Sequence, residues 1–381
     1  MANWFSNRTI GAVCLSASLA FAPQFAAAVS DVLETPARPT LLAPSNLLTD
    51  VSVAGERIVA VGARGHIIFS DDKGRTWTQG EVPVSLTLTG VHFPTPTHGW
   101  AVGHSGVILH SSDGGANWVL QMDGNKAARL AIAGLEEKIE VMEARVEEAD
   151  DDERDELEFL LDDLQFSLSN MEADQDVGPV NPMLDVWFEN DQRGFVIGAY
   201  GMLLLTEDGG ETWSDQAHTL DNPERFHLNQ IAQIGGGALV IVGEAGMIHV
   251  STDMGDSWMA VESPYSGSLF GVTGTGNVNE IVVFGLRGNI FQSTDLGRNW
   301  QSVASELRAT LNSGAVAADG RVILVGNNGL ILTSTNSGQS FRGQFRDDRD
   351  DVLAVVPVNA EQLILFGEHG VLHTDARGRT Q

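Results

Sequence analysis

The sequence predicts an all-β fold, a seven-bladed β-propeller with an inserted α-helical hairpin. Three observations predict it: a repeated motif, the even spacing of its copies, and one long insertion between two copies. Each copy begins at a Gly-x-x-Gly turn, and the first glycines are Gly62, Gly103, Gly198, Gly243, Gly285, Gly326 and Gly367. Their spacings are 41, 95, 45, 42, 41 and 41 residues. A period near 40 is typical of propeller blades, because one four-stranded sheet cannot bury both faces alone.

Each repeat supports four short strands. In the second copy, 88–93 supplies the innermost strand, 99–103 the second and 107–112 the third, and the residues after Trp118 supply the outermost. These runs are rich in apolar and β-branched residues and are bounded by Gly, Asp and Asn, as strands require. The seventh copy ends at Gln381, before an outermost strand.

The turn between the third and fourth strands carries a second motif, Ser/Thr-x-Asp-x-Gly-x-x-Trp. Its aspartates are Asp72, Asp113, Asp208, Asp253 and Asp295. The sixth copy has Asn336 at this position, and the seventh is degenerate. The aspartate can accept hydrogen bonds from turn amides, and the tryptophan can pack between blades. We therefore interpret these aspartates as structural. The pattern resembles the Asp box, or BNR repeat, of sialidase-type propellers.

The N-terminal segment is expected to complete the ring. Residues 37–51 resemble the stretches that follow the tryptophan in other copies, such as 78–91 and 259–272. We therefore expect Arg38–Ala43 to supply the missing outermost strand of the last blade. A sheet made from both termini would have no open edge.

The insertion is predicted to be an acidic helical hairpin at 125–176. Apolar residues step by three and four from Ile132 to Val146 and again from Leu157 to Met171, which indicates two helices. From Lys126 to Asp176 there are 18 acids and 5 bases, against a net charge of −29 for the whole chain. Two interpretations remain open: a solvated face that keeps the hairpin soluble, or an arm that docks on a partner. The predicted domains are then 1–28, 37–124, 125–176 and 177–381.

The first 28 residues are predicted to be a secretory signal peptide. Arg8 precedes an apolar stretch, and Ala26–Ala28 fits a small-residue cleavage site after Ala28. We expect a periplasmic or lumenal protein without membrane insertion after cleavage. Cys14 is the only cysteine, so the mature chain would have no disulfide or thiolate metal site. The acidic balance argues against binding nucleic acid.

A candidate binding face follows from propeller geometry, in which the Gly-x-x-Gly turns and the fourth-to-first connections lie on one side. The hairpin should stand on this side. The turn residues chosen as candidates are Arg64, His104, Tyr200, Glu244, Arg287, Asn328 and His369. Taken singly, each can also be an ordinary exposed turn residue.

The single ring of BNR-type blades resembles the photosystem II stability/assembly factor family over about residues 37–381, apart from the insertion. The resemblance implies a non-enzymatic factor, forming a monomeric ring, that holds a membrane-protein partner on the lumenal or periplasmic side. The family's binding face is rich in arginine, whereas the turns here carry only Arg64 and Arg287. Relatives in non-photosynthetic bacteria look like periplasmic companions of resistance-nodulation-division exporters, which implies an accessory role in a non-photosynthetic host. A periplasmic scaffold is the interpretation that we favour.

The alternative is a glycan-binding protein or glycoside hydrolase, since Asp boxes occur in such propellers. A sialidase site needs an arginine cluster and a tyrosine nucleophile, but only Tyr200 and Tyr265 exist. A carboxylate pair would serve other glycosidases, and Asp185, Glu244 and Glu368 could face the channel. No catalytic cluster, cofactor motif or metal-ligand spacing is evident, so we predict a protein that is not an enzyme.

Overall fold

Seven antiparallel sheets follow one another along the chain, and their innermost strands contact each other in sequence order until the last meets the first. This computed structural model describes residues 31–175, 181–305 and 307–379. It confirms the seven-bladed propeller with its helical hairpin. The ring belongs to a compact unit, Val32–Gln381. The predicted signal peptide lies outside the described residues.

Each blade runs from an innermost to an outer strand. Blades 1 and 2 contain β1 (Leu48–Ala54), β2 (Arg57–Gly62), β3 (Ile67–Ser70), β4 (Thr78–Gln79), β5 (Leu88–His92), β6 (Gly99–Gly103), β7 (Ile108–Ser111) and β8 (Val119–Met122). Blades 3 and 4 contain β9 (Met183–Phe188), β10 (Gly194–Gly198), β11 (Leu203–Thr206), β12 (Ser214–Asp215), β13 (Leu228–Gln233), β14 (Leu239–Gly243), β15 (Ile248–Ser251) and β16 (Met259–Ala260).

The remaining blades follow the same order of strands. Blades 5 and 6 contain β17 (Leu269–Gly274), β18 (Ile281–Gly285), β19 (Ile290–Ser293), β20 (Gln301–Ser302), β21 (Leu311–Val316), β22 (Val322–Gly326), β23 (Leu330–Ser334) and β24 (Arg342–Phe345). Blade 7 contains β25 (Val352–Pro357), β26 (Gln362–Gly367) and β27 (Gly370–Asp375). The second strand of every blade is the most buried, because it is covered by blades on both sides.

The Asp boxes are self-contained turns. In blade 1, Asp72 Oδ1 accepts the amide of Thr76 at 2.8 Å, and Asp72 Oδ2 accepts the Thr76 hydroxyl at 2.7 Å. The Ser70 hydroxyl donates to the same carboxylate and accepts the Gly74 amide at 2.8 Å. These hydrogen bonds, chiefly those from Thr76, lower the pKa of Asp72 to about 2. Asn336 makes the corresponding bond to the Ser340 amide in blade 6. The geometry supports the structural interpretation of these residues.

Aromatic residues join neighbouring blades. Trp77 of blade 1 meets Phe366 of blade 7 edge to face at 5.8 Å, and Trp258 of blade 4 meets Phe195 of blade 3 at 6.0 Å. Each contact seals a blade-to-blade boundary, as predicted for this tryptophan.

The innermost strands surround the centre of the ring, and the third residue of each, which we call its channel residue, follows an irregularity in its ladder to the second strand. Around the ring these residues are Asp50, Gly90, Asp185, Gln230, Gly271, Ser313 and Ala354. Asp50 accepts the amide of Val91 at 2.8 Å, and Asp185 accepts the amide of Ile231 at 3.0 Å, so each side chain ties its blade to the next. A Cβ at Gly90 would lie 2.9 Å from Asp185 Oδ1. The missing side chain therefore leaves room for Asp185.

Burial raises the pKa of both channel aspartates. The pKa of Asp50 rises to about 7, against the lowering effect of its backbone hydrogen bonds. The pKa of Asp185 lies well above its usual range, first because of burial and then because of the negative charge of Asp50. The two carboxyls are coupled, and a proton at this site favours the folded ring.

The closure of the last blade differs from the prediction. In the described residues blade 7 has three strands, and Arg38–Ala43 does not pair with β27. Instead the Arg38 carbonyl and the Thr40 amide bond the side chain of Gln79 at 3.2 and 2.9 Å, which holds this segment on blade 1. Pro39 has no N–H with which to extend a ladder. The predicted alignment holds only from Ala43 onward, where a short turn, Ala43–Ser45, brings the Pro44 carbonyl against Gly370.

The insertion forms two helices of 25 residues, α1 (Gly124–Glu148) and α2 (Asp151–Gln175), which pack on each other. Asp123 caps α1 by accepting the Lys126 amide at 2.7 Å. Ala127 is buried against the core between blades 2 and 3. The base of the hairpin is therefore anchored in the ring. Neither helix, nor any other among the described residues, has the length and apolar character needed to cross a bilayer.

Candidate binding face

The Gly-x-x-Gly turns share one backbone geometry in blades 1 to 6. In blade 1 the His66 amide bonds the Ala63 carbonyl at 3.1 Å, and the Ala63 amide bonds the Leu47 carbonyl at 3.0 Å. The second middle residue has a left-handed conformation, with φ of 60° at Arg64 and 56° at Tyr200. Such a conformation is unfavourable for residues other than glycine. Its repetition shows that the inter-blade packing holds the turns in place.

The predicted candidates occupy two different positions in these turns. His104 and Glu244 are first middle residues, whereas the other five are second middle residues. Six of the seven are exposed and Glu244 is half-buried. The structure spreads them around the ring, one to each blade, and does not gather them into a single pocket. Two local clusters form instead.

The first cluster lies where blade 3 meets blade 4. Tyr200 is 54% exposed, and its ring packs edge to face on His227 at 4.9 Å. The Tyr200 amide donates to His227 Nδ1 at 3.0 Å, and the His227 amide donates to Glu244 Oε2 at 3.0 Å. Arg225 lies beside the Tyr200 carbonyl, with a hydrogen bond of 3.4 Å. This cluster offers an aromatic face with charges of both signs at its edge.

The second cluster lies where blade 6 meets blade 7 and is acidic. His369 Nδ1 is 3.2 Å from Asp350 Oδ2, and these two residues and Glu368 each place one ligand atom within 4.8 Å of the others. Asp351 accepts the Asn328 amide at 2.7 Å. One imidazole and two carboxylates are a partial ligand set for a divalent cation. The sequence offered no metal spacing, because His369 and Asp350 come together only through the fold.

Three members of these clusters were missed in the sequence. Arg225 and His227 lie in the connection from blade 3 to blade 4, where the spacing of 45 rather than 41 marked extra residues. Asp350 lies in the charged run 346–351 that precedes β25. The longer spacing and the charged run are visible in the sequence, but neither shows that these residues approach a neighbouring turn.

The hairpin begins beside one of these turns. A Cβ at Gly106 would lie 2.6 Å from Gly124, the first residue of α1. The start of α1 also contacts β12, the outer strand of blade 3. The base of the hairpin thus lies on the side of the ring that carries the turns, next to His104.

The carboxylates considered for a glycosidase lie in three separate settings. Asp185 is in the channel with Asp50, and its oxygens accept backbone amides. Glu244 accepts the His227 amide, and Glu368 belongs to the acidic cluster. The box aspartates are likewise occupied by their own turns. A glycosidase needs a facing pair on either side of a sugar.

The chain matches the family model described as "Photosynthesis system II assembly factor YCF48" over residues 72–138 and 168–349, about two thirds of its length. The unmatched interval, 139–167, falls within the hairpin. A photosystem II assembly lipoprotein Ycf48 of Synechococcus sp. strain CC9902 is 38% identical over 78 residues, which is 20% of this chain and 23% of the relative. The chloroplastic photosystem II stability/assembly factor HCF136 of Guillardia theta is 38% identical over 53 residues, 13% of each chain. These alignments span less than a quarter of either relative.

Solved structures share the fold over most of the chain. A structure described as "YCF48 bound to D1 peptide" has a TM-score of 0.59 and 16% identity, covering 87% of this chain and 94% of the other. The WD40 propeller domain of Doa1 has a TM-score of 0.57 and 7% identity, covering 91% and 96%. Identities this low support the propeller fold and say nothing further about function.

Proposed function

The chain belongs to the photosystem II assembly factor family described as YCF48, and we propose that it is a non-enzymatic scaffold that holds a segment of a membrane protein during assembly. The observation that carries the proposal is the ring of turns, which presents exposed side chains from successive blades on one face. Such a surface suits an extended peptide that crosses several blades. The related propeller described with a D1 peptide suggests that the segment comes from a photosystem-type protein.

The turn face provides the residue types that dominate protein interfaces. Tyrosine and arginine carry much of the binding energy in such contacts, because they combine apolar area with hydrogen bonding. Tyr200, Arg64 and Arg287 are exposed in equivalent turns of three blades. We propose that these three residues anchor the partner segment, and that the acidic cluster around Asp350 selects against segments with acidic residues nearby.

We place this activity in the lumen or periplasm, after removal of residues 1–28. The lipoprotein names of cyanobacterial relatives support an exported protein. No observation favours an exporter over a photosystem-type partner, so we do not propose an accessory role for an exporter. The absence of catalysis is supported by the relatives, which are named as assembly factors.

The proposal is tested by binding of a fluorescein-labelled D1 peptide to the full chain, measured by anisotropy. We expect Arg64→Ala/Arg287→Ala to weaken binding about tenfold or more. The matched control is Arg75→Ala/Arg298→Ala, which removes the same charge from the same two blades. Arg75 and Arg298 are exposed in Asp-box turns on the opposite face, so this variant should bind within about twofold of wild type.

Equal losses in the two double variants would show a nonspecific charge effect and contradict the proposal, as would no binding by wild type. Deleting Lys126–Asp176 provides a second control. The ring should still fold, because removing these 51 residues reduces the spacing between blades 2 and 3 from 95 to 44, within the range of 41 to 45 found between the other blades. Peptide binding should survive the deletion, since the proposed anchors lie in the turns.

A further inference from the structure

The outer side of α2 carries two exposed phenylalanines. Phe159 and Phe166 are seven residues apart, so they lie on one side of the helix, two turns from each other. They are 73% and 67% exposed. The opposite side of α2 faces α1, where Leu157 is buried and Leu161 is half-buried. The phenylalanines therefore contribute nothing to the seam between the helices.

Carboxylates border both rings. At about 100° per residue, Asp155 and Asp162 lie along one edge of the pair, and Asp163 lies along the other. All three are exposed. We call Phe159, Phe166 and these three aspartates the phenylalanine face.

The one cation in the sequence of α2, Arg154, donates to the Ala149 carbonyl and does not lie on this face. The sequence from Asp155 to Gln175 contains seven acids and no Lys, Arg or His. A helix that serves only to be soluble usually carries charges of both signs, spaced three or four residues apart. The charge pattern of α2 departs from that rule over five turns.

The first helix shows what a solvated face looks like in the same hairpin. In α1, Arg129, Lys138 and Arg145 alternate with glutamates, and the exposed large apolar residue is Val141, at 57%. Solvation alone accounts for α1. It does not account for two phenylalanine rings in water on α2, because exposed apolar area of this kind marks an interaction site.

We propose that the phenylalanine face binds a basic amphipathic helix of a partner protein. The inference deepens the proposed function, on which it rests for the existence of a protein partner, and adds a second contact away from the turns. Apolar residues of the partner, repeated at i, i+3 or i+4 and i+7, would cover the two rings. Lysines or arginines beside them would pair with Asp155, Asp162 and Asp163.

The charge argues against two other occupants. A second copy of this chain would bring together two hairpins that each carry a net charge of −13 between Lys126 and Asp176. Anionic lipid headgroups would be repelled in the same way. The negative field of the hairpin attracts a cationic polypeptide and also speeds its association.

The test uses the full chain and two labelled synthetic helices of about 18 residues, one of leucine and lysine, the other of leucine and glutamate. We expect the lysine peptide to bind and the glutamate peptide not to bind. Phe159→Gln/Phe166→Gln should weaken binding about tenfold, whereas Val141→Gln, on the other helix, should change it by less than about twofold. Glutamine keeps good helix propensity, so circular dichroism should show both variants folded.

The aspartates are tested separately. Asp155→Asn/Asp162→Asn should weaken binding of the lysine peptide about threefold or more at low salt, and raising the salt should reduce the difference. Binding of the lysine peptide that survives the phenylalanine substitutions unchanged would overturn the inference, because charge alone would then suffice. Equal binding of the glutamate peptide, or no binding of either, would overturn it as well.

Self-association gives the remaining decisive outcome. A dimer in sedimentation experiments that is lost on Phe159→Gln/Phe166→Gln would identify a second copy as the occupant and overturn the proposal. Binding of the D1 peptide to the turns should be the same in these variants and in wild type. Failure of the phenylalanine face is therefore distinguishable from failure of the proposed function.

Discussion

The ring and the hairpin differ in where their polar and aromatic side chains find partners. In the ring, polar side chains bond their own turn, as Asp72 does, or the next blade, as Asp50 does. In the hairpin, α2 exposes phenylalanines and acidic residues to solvent. The polar groups of the ring are hydrogen-bonded within the ring, whereas the exposed side chains of the hairpin are available to a partner protein.

Glycine shows the difference most clearly. The glycine of each Asp box has a positive φ and packs against the preceding blade, so a side chain there meets both strain and a clash. Gly134, within α1, has no neighbouring atom within 4 Å of a Cβ placed on it. The same substitution should therefore have opposite effects in the two regions.

The largest expected effect is from Gly255→Ala in the ring. Gly255 has a φ of 90°, and a Cβ there would collide with the ring of Phe195 in blade 3. Strain and overpacking together should lower the free energy of unfolding by about 3 kcal/mol. Urea denaturation of the full chain measures this loss. A loss below about 1 kcal/mol would show that the blade boundary yields to the added methyl group and is not close-packed.

The next effect concerns the channel aspartates and pH. Since the folded pKa of Asp50 is about 7 and its usual value is 3.8, the stability that its proton gives is fully present below pH 4 and lost as the pH rises towards 7. Asp50→Asn keeps an oxygen to accept the Val91 amide and cannot ionise. We expect it to raise the free energy of unfolding at pH 8 by about 1–2 kcal/mol and to flatten the slope between pH 5 and 8.

An Asp-box residue provides the matched control for that experiment. The pKa of Asp72 is about 2, so its carboxylate stays ionised throughout the range from pH 5 to 8. Asp72→Asn should leave the pH slope in that range unchanged, whatever it does to stability overall. If Asp50→Asn kept the wild-type slope, the channel pair would not be the source of the pH dependence.

Most of the ring was predictable because its determinants are local and repeated. Each Gly-x-x-Gly turn and each Asp box lies within one copy, and Asn336 could be recognised as a substitute from its place in the motif. The prediction for Arg38–Ala43 was wrong because the path of this segment depends on hydrogen bonds to one side chain, Gln79.

The candidate site was harder to predict from the sequence, because its contacts are not repeated from copy to copy. The seven turns were located correctly by spacing, but the partners of Tyr200 come from a connection that differs from blade to blade. Asp185 packs closely on Gly90 of the preceding blade, and these two residues are distant in sequence. Contacts between copies form only when the ring closes, and the repeated motif does not indicate which residues then meet.

The smallest expected effect returns to glycine, in the hairpin. Gly134 lies in the interior of α1, where alanine has the higher helix propensity and meets no clash. Gly134→Ala should stabilise α1 by about 0.5–1 kcal/mol. Hydrogen exchange of the α1 amides should then slow about two- to fivefold, with the amides of the ring unchanged, because the hairpin opens independently of the blades. Equal slowing in both regions would mean that the hairpin and the ring unfold together, and the contrast between a self-sufficient ring and a separate arm would fail.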